Sequence, residues 1–275
     1  MTTPFQTLLA TEASAAVPRI STAQFPDASD NRAVRELWTE PATNPTAYAG
    51  KRIAVIATDG VEEIELTTVL HFFKSRGAIT HLIAPNKPVF PPRLGVQIPA
   101  LRETHILTVH YIETAGWVAF DKKLDEVDGT AYEAFIIPGG SWNPEALRTE
   151  PQVALLLKNA AAAGKVVAAI CHGPWVLSDA GLLKGKRATA WWPIRRDLEN
   201  AGATFIDEPV VVDGNIITSR APIDLAAFVH AVGERLAEMR RSPRTHIRTT
   251  NAPCPLGRSS IVRQPAPGLA SCHMR

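Results

Sequence analysis

Residues 165–185 read KVVAAICHGPWVLSDAGLLKG, and this stretch decides the fold class. KVVAAI is a short, continuous apolar run of the kind found in buried parallel strands. PWVLSDAGLLKG has the apolar spacing of a helix and begins at a proline, which is favoured in the first helical turn. Cys171, His172 and Gly173 lie between these two runs. The sequence therefore predicts a strand, a tight turn that holds Cys171, and a helix.

The same alternation of strand and helix recurs on both sides of this stretch. Upstream, a strand, a helix and a strand are predicted at KRIAVIA (51–57), EIELTTVLHFFKSRG (63–77) and ITHLIAP (79–85). Directly before the stretch at 165–185, a strand and a helix are predicted at 133–140 and 144–164. After it, the pattern predicts two β-rich runs around a turn at 205–220 and a last amphipathic helix at 223–239. Alternating strands and helices predict an α/β fold with a mostly parallel sheet and helices on both faces. Any functional site is then expected at the carboxyl ends of the strands.

Length and charge restrict the class of protein. The chain has 275 residues and a formal net charge of +2. Residues 1–50 carry a net charge of about −2, and residues 240–275 carry seven arginines and no acid, which leaves about −3 for the middle of the chain. A mildly acidic body argues against a nucleic-acid-binding protein. No apolar run approaches the roughly 20 residues that a transmembrane helix needs, so no membrane partner is expected.

The two ends of the chain differ from the middle in composition. Scattered prolines and small polar residues predict a poorly ordered arm over 1–50, with a short helix near NRAVRELW (31–38). A domain is predicted over 51–239, with an excursion of loops and strands at 86–130, and a low-complexity Arg/Pro-rich tail over 240–275. The N-terminus lacks the basic start of a secretory signal, and three cysteines form no disulfide framework. A cytoplasmic location is expected.

Cys171 is the first candidate for chemistry. A strand-to-helix turn projects a side chain into the crevice at the strand ends, and a helix N-terminus is expected to lower a thiol pKa by favouring the thiolate. A buried cysteine can also be a small packing residue without chemistry. The neighbouring His172 favours a nucleophile with an adjacent base.

Acids and glycines accompany this cysteine at the predicted strand ends. Glu62 and Glu65 share one face of the first helix; acids in a first turn can simply interact with the helix dipole, but a carboxyl group beside a thiol would be partly protonated and able to move a proton. Gly139 and Gly140 close the next strand, where a backbone without Cβ can approach a ligand and present an N–H to an oxyanion. A simple turn is the alternative for this pair.

Several segments, in order and spacing, resemble the DJ-1/PfpI family, and specifically its PfpI-like branch within the class I glutamine amidotransferase-like superfamily. They are DGVEEIEL, IIPGG, AAICHGPWVLSDAGLLKG, NAGA and VVVDGNIITSRAPIDL, within about residues 51–238. The resemblance implies a flavodoxin-like α/β sandwich and a homo-oligomer, a dimer or a hexamer. No cofactor is expected. Metal binding is a weaker alternative, because the adjacent Cys171 and His172 with a glutamate can hold an adventitious ion, but the spacing of a dedicated metal site is missing.

The resemblance also implies roles for individual residues. It makes Cys171 the nucleophile and His172 its base, and it matches Glu65 to the glutamate that hydrogen-bonds the cysteine. The backbone N–H groups of Gly140 and His172 match the oxyanion hole. Glu145 matches an acid that a neighbouring subunit contributes to orient the histidine, although this sequence has one extra residue before Pro-Glu.

One departure from the DJ-1 branch concerns Trp192. That branch places a histidine at this position, before the proline of the segment corresponding to ATAWWPI, so His172 is expected to supply the imidazole here. His230, in the last helix, is expected to be a surface or packing residue. No late His-x-Glu follows the cysteine, which disfavours amidotransfer.

These observations predict an enzyme with a cysteine nucleophile. Its expected substrates are reactive carbonyls, glycated groups or peptides, as in a glyoxalase, deglycase or intracellular protease that protects against stress. A crevice lined by Trp142, Trp175 and Trp192 would favour small carbonyls over folded proteins. The alternative is a non-catalytic redox sensor or chaperone-like protein in which Cys171 is oxidised reversibly.

Overall fold

The computed structural model describes residues 32–86 and 100–241 of the chain. Its strands are β1 (Arg52–Ile56), β2 (Val61–Glu62), β3 (Ile79–Ala84), β4 (His105–His110), β5 (Glu113–Ala119), β6 (Lys122–Lys123), β7 (Ala134–Ile137), β8 (Val166–Ile170), β9 (Arg187–Ala188), β10 (Thr204–Phe205), β11 (Val210–Asp213) and β12 (Ile216–Ser219). Its α-helices are α1 (Arg32–Thr39), α2 (Glu63–Lys74), α3 (Trp142–Leu147), α4 (Pro151–Ala162), α5 (Pro174–Asp179), α6 (Arg195–Asn200) and α7 (Leu225–Arg241). The predicted alternation of strands and helices is confirmed.

A seven-stranded sheet forms the centre, in the order β11-β12-β8-β7-β1-β3-β6. Every pairing in it is parallel except that of β11 with β12, which form the hairpin predicted around Asp213-Gly214. The chain runs outward from β1 to β3, then returns to the other side of β1 with β7 and continues to β8. Strand order therefore reverses between β1 and β7, the place where open α/β sheets form their sites.

Side chains of successive strand residues point to opposite faces and build two cores. On one face, alternate residues of β1 such as Ile53 and Val55 pack with α1, α2 and α7. On the other, Ala54 and Ile56 pack with α3, α4, α5 and α6. Two apolar faces account for the uninterrupted apolar strands in the sequence. The result is the α/β sandwich that was predicted.

The excursion at 86–130 contributes a smaller sheet, of which residues 87–99 lie outside the described part of the chain. β4 and β5 form an antiparallel hairpin, and β4 also pairs in parallel with β2. Tyr111, at the hairpin tip, has a left-handed backbone with φ 59°. Its N–H donates to Glu62 Oε2 at 2.9 Å. This hydrogen bond ties the hairpin tip to the carboxyl edge of the central sheet.

The single helix predicted over 144–164 is two helices. α3 ends at Leu147, and α4 begins at Pro151. Glu150 adopts extended backbone, with φ −91° and ψ 106°. Proline sterically disfavours helical backbone for the residue before it, so Glu150 cannot continue a helix and a new helix begins at Pro151.

Part of the segment predicted as a poorly ordered arm packs on the domain. Helix α1 falls at the predicted NRAVRELW helix, and its Val34 and Leu37 are buried in the core. Trp38 Nε1 donates to Thr68 Oγ1 at 3.0 Å, and its ring stacks on His71 at a centroid distance of 4.4 Å. The expectation of poor order is therefore corrected for residues 32–50. The rest of the predicted arm, residues 1–31, and the predicted low-complexity tail beyond residue 241 lie outside the described part.

Among the helices that the structure describes, none has both the length and the apolar composition needed to cross a membrane.

Candidate active site

Cys171 occupies the turn between β8 and α5, and its backbone is left-handed with φ 61°. A residue with a Cβ adopts this conformation at a cost, so the surrounding structure must hold it. Its N–H donates to the Ser219 carbonyl at 3.0 Å, and its carbonyl accepts from the Trp191 N–H at 2.9 Å. These two bonds fix the cysteine in the tight turn that the sequence predicted, with only 7% of its surface exposed.

Glu65 lies against the sulfur from the first turn of α2 and is completely buried. Its Oε2 accepts from the Gly139 N–H at 2.5 Å. Burial, and next the negative charge of Glu62, raise the pKa of Glu65 to about 8, although hydrogen bonds from Gly139 and Cys171 lower it. Glu65 is therefore largely protonated at neutral pH, and its carboxyl group can donate a hydrogen bond to the sulfur.

The thiol of Cys171 is not acidified, contrary to the expectation from its place at a helix N-terminus. Burial raises its pKa above the ordinary value, and the charge that Glu65 carries when ionised raises it further. Hydrogen bonds from the backbone N–H groups of Gly140 and His172 lower it, but burial dominates. Because the resting sulfur is a thiol, a nucleophilic attack from it requires a base.

His172 is placed to be that base. Its Nδ1 lies 3.3 Å from Cys171 Sγ. Burial lowers the pKa of His172, so the imidazole is neutral at neutral pH and can accept a proton. The ring meets Trp175 edge-on, with centroids 5.2 Å apart, and stacks on Trp191, with centroids 6.0 Å apart. The neighbouring rings thus hold the imidazole beside the sulfur.

Gly139 and Gly140 leave no room for side chains. A Cβ on Gly139 would lie 2.6 Å from the Cys171 Cβ. A Cβ on Gly140, whose φ is +83°, would lie 2.1 Å from the Gly60 carbonyl oxygen. Because neither glycine has a Cβ, the loop can lie directly against Cys171 and the neighbouring backbone. The N–H groups of Gly140 and His172 both hydrogen-bond the sulfur, so two backbone donors lie beside the reacting atom.

A cavity of about 310 Å³ opens in front of the sulfur. Its lining residues are Glu62, Glu65, Tyr111, Gly140, Ser141, Cys171, His172, Trp191, Trp192, Ala221, Pro222 and Ile223. Within the described part of the chain, this lining contains two acids and neither lysine nor arginine. The site is therefore small, largely apolar and free of a cationic side chain for an anionic ligand.

The prediction that three tryptophans line the crevice is only partly correct. Trp192 lines the cavity, and its Nε1 donates to Asp207 Oδ1 at 2.9 Å. Trp175 instead turns its Nε1 to Asp197 Oδ2 at 2.8 Å, and Trp142 is 58% exposed. Neither of these two lines the cavity. The second tryptophan in the cavity lining is Trp191.

A comparison with protein families covers the segments that build this site. The DJ-1/PfpI family model matches residues 51–235, a range that contains every residue named in the cavity. The chain belongs to the DJ-1/PfpI family. The predicted family membership is thereby confirmed.

Individual members of the DJ-1/PfpI family resemble this chain over most of their own length. Deglycase TK1284 of Thermococcus kodakarensis is 35% identical over 178 residues, which cover 65% of this chain and 95% of that protein. General stress protein 18 of Bacillus subtilis is 35% identical over 180 residues, which cover 65% of this chain and 94% of that protein. The crystal structure of Drosophila melanogaster DJ-1beta has a TM-score of 0.57 at 26% identity, with 68% of this chain and 90% of that chain covered.

Of the residues that the family resemblance singled out, Glu145 is not part of the site within one chain. It lies in the first turn of α3, is exposed, and does not line the cavity. A contribution from a neighbouring subunit stays a prediction. The described residues contain no group of three or more His, Cys, Asp and Glu side chains that could hold a metal ion.

Three residues of the site escaped the sequence analysis. Trp191 and Tyr111 line the cavity from distant segments, and no local pattern marked them. Asn143 is fully buried in the first turn of α3, shortly after Gly140. Its one sequence signal was its place directly before Pro-Glu, where the sequence departs from the family pattern by one extra residue.

Proposed function

We propose that this chain is an enzyme that uses the Cys171 thiol to attack small reactive carbonyl compounds or their adducts. The observation that carries the proposal is the convergence of a buried thiol, a neutral imidazole, a protonated carboxyl group and two backbone N–H groups on one small cavity. The name of the relative Deglycase TK1284 supports the same class of reaction.

In the proposed first step, His172 accepts the thiol proton as Cys171 Sγ forms a bond to the carbonyl carbon. The electron pair of the carbonyl π bond moves to oxygen, and the N–H groups of Gly140 and His172 stabilise the negative charge. The oxygen then takes a proton from His172 or Glu65. The product is a hemithioacetal, formed by net addition of S–H across the carbonyl group.

When the substrate is a 2-oxoaldehyde, the hemithioacetal can react further by a proton transfer and a hydrolysis. Glu65 and His172 lie beside the adduct and can move its C1 proton to C2, which converts the hemithioacetal into a thioester. Attack by water on the thioester releases a 2-hydroxy acid and restores the thiol. The atoms of aldehyde and water are all in the product, so no external oxidant or cofactor is required.

The cavity favours small substrates over folded proteins. A volume of about 310 Å³ is at the small end of ligand sites, and the sulfur is almost completely buried. A protein or peptide could place only a protruding modified side chain there. Peptide hydrolysis is therefore the less favoured of the predicted activities.

The test is substitution of each cysteine in the full chain, assayed with methylglyoxal and with a fluorogenic peptide. Cys171→Ala is expected to lose activity by at least about a thousandfold, because the nucleophile is absent. Cys254→Ala and Cys272→Ala serve as matched controls and should keep wild-type rates. Full activity in Cys171→Ala would overturn the proposal.

A redox-sensing role for Cys171 is the second candidate, and the position of Glu65 favours it. A protonated carboxyl group beside the sulfur could donate a hydrogen bond to a sulfinate or sulfenate. Mass spectrometry after graded peroxide treatment, with Glu65→Ala beside wild type, would measure the trapped oxidation state. A sensor should lack methylglyoxal turnover before and after peroxide, whereas an enzyme should have it before and lose it after.

We also propose a homo-oligomer, a dimer or a hexamer, in a cytoplasmic stress-protection role. Exposed apolar side chains near the cavity support an interface there: Tyr111, Ile112, Trp142, Trp192 and Ile223. The name of General stress protein 18 supports the role. Analytical ultracentrifugation of the full chain measures the mass. Mixing inactive Cys171→Ala with Glu145→Gln chains tests whether Glu145 acts across subunits, because mixed oligomers would then regain activity.

A further inference from the structure

The side chain of Asn143 is completely buried beside the loop that follows β7, and its amide is hydrogen-bonded on both sides. Its Oδ1 accepts from the Thr58 N–H at 2.7 Å. Its Nδ2 donates to the Pro138 carbonyl at 2.8 Å and to the Gly139 carbonyl at 3.1 Å. A buried amide satisfied in this way specifies one arrangement of the groups around it. Asn143 therefore links the end of β1 to the end of β7.

The bond to the Gly139 carbonyl sets the direction of the next N–H. The peptide between Gly139 and Gly140 is planar and trans, so its carbonyl and its N–H point in opposite directions. The Gly139 carbonyl is held on one side by Asn143 and by the Glu62 N–H at 3.3 Å. The Gly140 N–H consequently points the other way, to the Cys171 sulfur.

Two consecutive glycines make this restraint necessary. Glycine adopts positive and negative φ about equally readily, so the peptide group between two glycines can rotate with little steric resistance. Rotation would turn the carbonyl oxygen, instead of the N–H, toward the sulfur. The Glu62 N–H alone offers only the longer of the two bonds to the carbonyl. The side chain that opposes rotation most directly is that of Asn143.

We propose that Asn143 is a positioning residue, which aims the Gly140 N–H at the reacting centre by holding the Gly139 carbonyl. This inference rests on the proposed function, because the aimed N–H is half of the proposed oxyanion hole.

The test compares Asn143→Asp and Asn143→Ala in a full chain that also carries Cys254→Ala and Cys272→Ala, so that Cys171 is the one thiol. Asn143→Asp keeps the acceptor for Thr58 but replaces the amide donor. Asn143→Ala removes the side chain without adding a charge. Asn200→Asp, an exposed site at the end of α6, is the matched control. The measurements are kcat and KM for methylglyoxal, and the pH dependence of iodoacetamide alkylation and of thiolate ultraviolet absorbance.

Both Asn143 variants are expected to lower kcat by about tenfold or more with little change in KM, since loss of one oxyanion-hole donor costs on the order of a hundredfold. Because the Gly140 N–H lowers the thiol pKa, both should also raise that pKa and slow alkylation at neutral pH by about threefold to tenfold, the worth of one hydrogen bond. The control should change neither quantity.

Three outcomes would overturn the assignment. Folded variants with unchanged kcat and thiol pKa would show that Asn143 does not aim the N–H. A raised KM with unchanged kcat and thiol pKa would show a purely structural effect, as would failure of both variants to fold. If wild type lacks turnover, the proposed function fails, but the alkylation profiles still decide whether Asn143 acts on the sulfur.

Discussion

At the scale of single residues, Glu65 makes the stability of the protein depend on pH. The folded chain keeps a proton on this carboxyl group up to a pKa of about 8, whereas an exposed glutamate releases it near 4.5. The folded state thus binds more protons than the unfolded state between these values. The protonated Glu65 side chain therefore makes its full contribution to stability below pH 4.5, and this contribution is lost as the pH rises through the folded-state pKa of about 8.

Glu65→Gln should remove this dependence, because glutamine imitates the neutral acid at every pH. We expect the free energy of unfolding of wild type to fall relative to the variant as the pH rises between the two values, by at most about 1.4 kcal/mol per pH unit. Urea unfolding of both proteins across this range measures the difference. Parallel curves would contradict the assigned protonation state of Glu65.

Glu62 should give the cavity a charge preference at the same scale. It lines the cavity, and the described lining residues include neither lysine nor arginine to balance its charge. We expect Cys171 to react faster with neutral iodoacetamide than with anionic iodoacetate, relative to a free thiol. Glu62→Gln should narrow that ratio by about threefold or more, as removal of one nearby charge implies.

Glu208→Gln, an exposed acid elsewhere on the chain, is the matched control for this experiment and should leave the ratio unchanged. An equal ratio in Glu62→Gln and wild type would show that Glu62 does not influence the approach of a charged reagent. The readout is a chemical modification, so it holds whatever the natural substrate is.

At the scale of secondary-structure elements, sequence patterns correctly predicted the elements whose formation depends on neighbouring residues. The β-α-β unit, the strand before Cys171 and the β11–β12 hairpin follow from periodicity and turn residues. The break at Glu150 is also local, and Pro151 was its signal. The two-residue strand β2 was missed, because its partner β4 lies far along the chain and supplies its hydrogen bonds.

Helix α1 is the element whose energetic role differs most from expectation. Val34 is 1% exposed and packs in the same core as α2 and α7. Val34→Ala should therefore lower the free energy of unfolding by about 1 to 3 kcal/mol. Glu36→Ala, on the exposed side of the same helix, should have little effect. Chemical denaturation distinguishes the two, and equal stability of both variants would mean that α1 does not belong to the core.

At the scale of the whole molecule, strand order explains why distant segments form one site. Glu65 follows β1, Gly140 follows β7 and Cys171 follows β8, which are adjacent strands of a parallel sheet. Their convergence could be predicted, since carboxyl ends of parallel strands share an edge. The placement of Trp191, Tyr111 and Asn143 could not, because it depends on loop conformations and on contacts between remote segments. The raised thiol pKa was missed for the same reason, since burial by the whole fold outweighs the local helix terminus.

The left-handed backbone of Cys171 implies a trade-off between durability and chemistry. Cys171→Ala keeps the unfavourable φ, whereas Cys171→Gly relieves it, because glycine has no Cβ to clash there. Of these two variants, the glycine variant should therefore melt at the higher temperature, by an amount equivalent to about 1 kcal/mol. Differential scanning calorimetry of the pair measures this difference, and a lower melting temperature for the glycine variant would refute it. Heat resistance alone would favour glycine at this position, so the cysteine side chain occupies it at a cost in thermal stability.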